Sequence, residues 1–431
     1  MKDKHYVISN ANLVDVINDK IIPNQYVEVN EGKIVGIGEQ EKIPAGLPII
    51  DIQNHYLMPG LINLHVHLFG NGVPKNSTAK KGKAQEMILD FAATPLGKKY
   101  LRLMAKQGAL NQLHSGCTTI RAVGDIYYPD VYTRNQINAV KYIGPRMLVS
   151  GFAVTTTHGH GVGSIARGGE TKEELVKLIN DNLQYHTDLV KICVTGGVMD
   201  ATKPDEPGDV RMTLEQTKWC ADEAHKNHLI IASHTESTKG VEICLKAGVD
   251  TIEHGAVLTD SEIEELKKGN SHIITTISPA LPSVVLPAPY THYTPLQIAS
   301  CKIVSDGIIT CAKQCLANGI QVGLGTDSSC PFASQTGMWR ELNYFHKYAL
   351  ASNEYALKTA TIINASIMHL DDVTGSISIG KSADMIVSSA SPYQDLKTLR
   401  KLSYVFMKGQ VIKNPHVSVN KKLEKNLDSL I

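Results

Sequence analysis

Between residues 58 and 372 short apolar runs alternate with amphipathic helical stretches, and no other feature restricts the fold as much. A helix between two strands carries the chain back across the sheet, so consecutive strands run parallel. Eight runs have strand character: 61–67, 118–124, 146–151, 189–195, 229–234, 251–254, 273–277 and 321–327. Caps mark the helices between them. Thr171 with Glu174, and Thr213 with Gln216, form capping boxes. Stretch 259–269 has acids early, bases late and a glycine stop. Eight such units predict an α/β fold, a (β/α)8 TIM barrel over residues 58–372. The proline-rich stretch 279–295 is expected to be a loop over its mouth.

The two ends read differently. Segments 6–9, 26–29 and 33–37 alternate or run β-branched, with Asn30-Glu-Gly as a hairpin turn. Segments 375–380, 384–388 and 404–412 are again strands with glycine turns. Neither end is thick enough to stand alone. Residues 1–57 and 373–431 are therefore expected to pair into one small β-sandwich beside the barrel. The 43 basic and 42 acidic side chains nearly cancel, which argues for a small-molecule substrate and against a nucleic-acid partner. Residues 1–13 lack the apolar core of a signal peptide, and no apolar run approaches the roughly 18 residues of a membrane span. The eight cysteines include no Cys-x-x-Cys and read as reduced thiols of a cytoplasmic protein.

Strand interiors of a parallel barrel should be apolar. Five of the eight runs nevertheless carry a metal-competent residue at or near the C-terminal end: His65 and His67, Lys191, His234, His254 and Asp327. Alternate residues of a strand share a face, so His65 and His67 present their imidazoles side by side. Singly, each has a plain explanation: a hydrogen-bonded core histidine, a salt-bridged lysine, a capped turn at Gly325-Thr-Asp-Ser. Together, on matched strand ends of one ring, they converge.

These residues resemble the metal-dependent amidohydrolase superfamily. The resemblance is carried by Pro59-Gly-Leu-Ile-Asn-Leu-His-Val-His, Val190-Lys-Ile, His234, Thr251-Ile-Glu-His-Gly, Gly325-Thr-Asp-Ser and Gly375-Ser-Ile-Ser-Ile-Gly-Lys-Ser-Ala-Asp-Met-Ile-Val. Gly248-Val-Asp-Thr-Ile-Glu-His-Gly and Gly159-His-Gly are most similar to the imidazolonepropionase-like branch, with its prolidase-type dipeptidases and carboxypeptidases. The resemblance implies that His65, His67 and Asp327 hold one divalent ion and His234 and His254 a second. It implies that Lys191 is carboxylated by CO2 and bridges the two. A cationic lysine cannot bind a cation, whereas a carbamate offers two anionic oxygens. Imidazole with carboxylate suits Zn2+, and also Mn2+, Fe2+ and Ni2+.

The implied chemistry is hydrolysis of an amide C–N bond in a dipeptide or N-acyl amino acid. Two metal ions would acidify a bridging water, and Asp327 would take its proton and deliver it to the leaving nitrogen. His160 would stabilise the oxyanion, and His158 reads as a solvated loop histidine. One departure is Ser233-His-Thr-Glu-Ser, where prolidase-type relatives often carry His-Ala-His or His-Ala-Tyr. Glu236 leaves three readings open: help with a cyclic amide, selection of a cationic substrate, or orientation of a ligand histidine. Arg211 either pairs with a substrate carboxylate or lies solvated. The alternatives are a cyclic-amide hydrolase or deaminase, against which Lys191 counts, and a metal-free scaffold. Barrels of this kind often assemble, so a homo-oligomer is expected. Specificity is expected in loops 70–100, 155–170 and 279–295.

Overall fold

The computed structural model describes residues 4–74, 83–198, 200–203 and 207–431, so part of the expected specificity loop, 75–82, lies outside the described residues. The chain begins with β1 (His5–Asp15), β2 (Lys20–Asn30), β3 (Lys33–Glu39), β4 (Ile49–Asp51) and β5 (Tyr56–Pro59). β1 and β2 pair antiparallel, and Asn30 faces Lys33 across the turn into β3. Glu31 and Gly32 supply the positive φ that a two-residue hairpin loop needs, 47° and 80°. Any Cβ at position 32 would also lie 2.7 Å from the Lys408 carbonyl oxygen.

The alternation then sets in with β6 (Leu61–Val66), β7 (Cys117–Ala122), β8 (Arg146–Val149), β9 (Ala153–Thr155) and β10 (Ala166–Gly168). It continues with β11 (Leu189–Cys193), β12 (Ile230–Thr235), β13 (Thr251–His254), β14 (His272–Thr275) and β15 (Gly323–Leu324). All run parallel, in a three-stranded sheet β6-β7-β8 and a seven-stranded sheet β10-β9-β11-β12-β13-β14-β15. The expected single barrel ladder is therefore interrupted at two places. Between β8 and β9 the chain leaves extended conformation, with Gly151 at φ 66°. Between β15 and β6 the bonding passes beyond the strand: Thr326 and Asp327 donate their amides to the His65 carbonyl at 3.2 and 2.9 Å. A parallel bridge joins Val66 to Ser328. The run expected as strand 321–327 is strand only at Gly323–Leu324. Asn364 takes up both the amide and the carbonyl of Leu324, and Asp327 turns to φ 50°.

The capping boxes at Thr171 and Thr213 form, and Thr259 closes a third with Glu262. Thr294 with Gln297 makes a fourth, opening helix Pro295–Ala317. Stretch 279–295, expected as loop, contains the short helices Leu281–Val285 and Ala288–Thr291. Pro282 sits in a first turn, where its missing N–H leaves no bond unmade. No helix among the described residues is long and apolar enough to cross a membrane.

The chain ends with β16 (Met385–Ser388), β17 (Leu402–Met407) and β18 (Gln410–Lys413). They complete the terminal sheet in the order β18-β17-β16-β5-β1-β2-β3, with β4 on β1. The expected sandwich is thus one continuous eight-stranded sheet, and Tyr6, Ile8, Val27, Leu57, Met385 and Phe406 share its core. Residues 375–380, expected as strand, form turns: Gly380 donates its amide to Ile34, whose own amide donates to Lys381. Arg146 of β8 donates to the buried Asp384 at 3.0 Å and ties the sheet to the parallel strands. Helix Lys421–Leu427 packs on helix Met338–Ala349, where Arg340 donates to Glu424 and Asp428, both at 2.8 Å.

Candidate metal centre

The strand ends meet at a cavity of ≈ 140 Å³, walled on its apolar side by Phe69, Ile165, Val198, Pro279 and Tyr293. His65 and His67 enter it from one face of β6 and its extension. Their Nε2 atoms lie 3.4 and 3.2 Å from Asp327 Oδ1. Their Nδ1 atoms are held from behind, His65 by Glu253 Oε2 at 2.7 Å and His67 by the Gly124 carbonyl at 2.6 Å. A hydrogen on Nδ1, bound to such an acceptor, leaves the Nε2 lone pair for a cation. His254 is held at Nδ1 by the Thr276 hydroxyl at 2.7 Å, and its Nε2 lies 2.9 Å from His234 Nδ1. Ring centroids of His65 and His254 are 4.9 Å apart, those of His234 and His254 4.7 Å.

Two groups among the described residues have ligand atoms within 4.8 Å of one another: His65, His254 and Asp327, and His234, Glu236 and His254. Lys191, on β11 in the cavity wall, is 3% exposed, and its Nζ has no hydrogen-bond partner. Burial pushes its ammonium below the ordinary lysine range, against the pull of Glu253. Leaving such a charge buried and unpartnered is expensive. Deprotonated, the nitrogen would carry a free lone pair in the cavity wall. Burial also holds His65 and His234 well below the ordinary histidine range. Burial lowers His254 to about 4, with Asp327 opposing and Lys191 assisting. At neutral pH these rings are therefore neutral, the form that ligates. Burial raises Asp327, but His65, His67 and His254 outweigh it and keep the carboxylate ionised. Neutral imidazoles, an ionised aspartate and an orphaned amine fit a pair of divalent ions.

Two residues behind the site escaped the reading of the sequence. Arg121 and Glu253 are fully buried, and the guanidinium reaches both carboxylate oxygens at 2.7 and 2.8 Å. The clue was an arginine inside the apolar run 118–124 and an acid directly before His254. Inward-facing charges on parallel strands need each other. Cys193, Cys301 and Cys330, also unforeseen, line the cavity.

His160 lies parallel to His234, centroids 4.2 Å apart, with Nδ1 2.5 Å from Asp200 Oδ2. Glu236 is 9% exposed at its side chain. Burial, then Asp327 and Asp200, push its carboxyl up to about 8. His158 is exposed. Arg211 is absent from the described cavity wall; its guanidinium packs against Gly196 on the Asp200 side.

A model of the amidohydrolase family matches residues 56–412. The chain is 33% identical to a candidate prolidase from Bifidobacterium longum of known structure, with 99% of this chain and 98% of the other covered and a TM-score of 0.86. It shares its fold with a Xaa-Pro dipeptidase solved with methionine in the active site, at 24% identity, TM-score 0.82, and 95% and 100% coverage. Imidazolonepropionase of Fusobacterium nucleatum is 24% identical over 413 residues, 86% of this chain and 87% of that protein. With a match of this extent, the chain belongs to the amidohydrolase family and is a hydrolase acting on C–N bonds.

Proposed function

We propose that the chain hydrolyses the amide bond of a dipeptide or N-acyl amino acid with the help of two divalent metal ions, Zn2+ foremost. The observation that carries this reading is the convergence of four imidazoles and Asp327 around the unpartnered Nζ of Lys191. His65, His67 and Asp327 would hold one ion, His234 and His254 the other, and Lys191 as a carbamate would span them. In this reading the two parallel sheets are arcs of one eight-stranded barrel, which gathers the ligands at one rim. When bound, such ions acidify a water molecule and polarise the scissile carbonyl.

The rest falls to the chain's own side chains. Asp327, whose Oδ1 is buried with no hydrogen-bond partner, would take the water's proton and return it to the leaving nitrogen. His160 has Nδ1 committed to Asp200, so in the imidazolium form Nε2 is free to donate to the oxyanion. Phe69, Pro279 and Tyr293 line the cavity, and with the substrate bound their apolar surfaces would strengthen both contacts.

The test is metal analysis of the purified protein, followed by a screen of dipeptides and N-acyl amino acids beside cyclic amides and amino-purines. About two metal ions per chain and turnover of the open amides are expected. Fewer than one ion per chain, or turnover of cyclic amides or amino-purines alone, overturns the reading.

A further inference from the structure

We propose that Glu236 is the anchor for an ammonium group of the substrate, and that this group is the free α-amine beside the scissile carbonyl. The inference rests on the amide-hydrolase reading and chooses within it: amino-terminal-free dipeptides rather than N-acyl amino acids.

Four observations carry it. The Glu236 backbone is fixed, since its amide donates to Thr195 Oγ1 at 3.0 Å. The Val198 backbone holds the carboxyl group, yet Oε2 is buried with no hydrogen-bond partner. A buried carboxylate oxygen left bare is costly, so a donor supplied by the substrate is strongly favoured there. Among the described cavity-lining residues no arginine appears, and Lys191 is the single lysine. Asp327 and Asp200 lie close enough to Glu236 to act on it electrostatically, with Lys191 as the opposing charge. A cationic N–H satisfies the bare oxygen better than a neutral amide, because charge-assisted bonds are roughly twice as strong.

Position decides which cation. Glu236 Oε2 lies 4.0 Å from His234 Nε2, and the carboxylate falls within 4.8 Å of ligand atoms of His234 and His254. A group bound there sits next to the reacting carbonyl. An α-ammonium, one carbon away from that carbonyl, fits this closeness. A lysine or arginine head would have to fold back to reach it.

The experiment compares metal-replete wild type with E236Q and E236D on Ala-Xaa dipeptides, their N-acetyl forms, and N-acetyl-lysyl counterparts, with metal content measured throughout. Wild type should prefer the free dipeptides. In E236Q that preference should fall by on the order of 30-fold or more, mostly through KM, with metal content kept, and E236D should restore part of it. If N-acetyl-lysyl substrates alone are preferred, Glu236 pairs with a side-chain amine and the α-amine assignment is overturned. Loss of metal in E236Q makes Glu236 a ligand and overturns the proposal. Equal turnover of free and acetylated amides by wild type also overturns it, while amide hydrolysis stands. No turnover of either class by the metal-replete protein removes the underlying reading itself.

Discussion

Glu253 answers to three partners: His65 Nδ1 at 2.7 Å, the Thr251 hydroxyl at 2.8 Å, and Arg121 Nη2, which donates to both carboxylate oxygens at 2.7 and 2.8 Å. Replacing it by glutamine keeps a hydrogen-bond acceptor but strips the charge facing a fully buried guanidinium. E253Q should lose roughly 3–5 kcal/mol of stability and about 10–100-fold in metal affinity, read by urea unfolding and chelator competition. Unchanged values in both would mean that the pair neither supports the core nor orients His65. Lys191 is tested differently. K191A should deplete metal and lower turnover about 100-fold or more, with partial recovery in short carboxylic acids, which stand in for carbamate oxygens. Full turnover without the lysine would eliminate the carbamate. The ligating residues were legible because histidines and an aspartate stand out against apolar strands. Arg121 and Glu253 were not, because 132 positions separate them and only closure of the sheet shows that they share a layer.

At the scale of elements, β15 and β6 approach almost backbone to backbone at Gly325. A Cβ there would lie 2.4 Å from His65 Cβ and 2.6 Å from His65 N. G325A should therefore push Asp327 away from His65 and His67, costing about 100-fold in kcat/KM while far-UV circular dichroism stays native. Glu341, on helix Met338–Ala349, takes the amides of Ile277 and Ser278 at 2.5 and 2.9 Å and so fixes the segment leading to the Pro279 wall. Burial raises its carboxyl from 4.5 to about 7, against those hydrogen bonds. The folded state then binds this proton more tightly than the unfolded chain does. Stability from this group is full below about 4.5 and is lost as pH rises to about 7, by up to about 3 kcal/mol. E341Q should lack that slope when urea midpoints are compared at acidic and neutral pH; parallel slopes would mean an ionised Glu341. Helix starts were readable because capping boxes are local. Residues 375–380 misled because Ser-Ile-Ser-Ile alternates like a strand, while the backbone there bonds to the end of a distant hairpin.

For the molecule as a whole, the last helix acts as a clasp. Leu423, Leu427 and Leu430 share a core with Ile277, Leu281 and Tyr344. Arg340 and Arg400 together grip Glu424 and Asp428. R340M should cost roughly 3 kcal/mol and lower the Tm, since Glu424 is nearly buried and loses its closest cation. An unchanged Tm would show that Arg400 alone suffices. Tyr6 meets the other end of the chain too: its hydroxyl donates to the Gly409 carbonyl, 403 positions away. β5, near the start, lies between β1 and β16. A ribosome delivers β1 to β5 first and β16 to β18 last, so the earliest strands emerge with three of the eight strands of their sheet still untranslated. Until then the edge of β5 has no β16, and an unpaired edge invites pairing with other chains. Order of synthesis and order of assembly are thus opposed in this protein, and a stalled or prematurely ended translation product should be prone to aggregate.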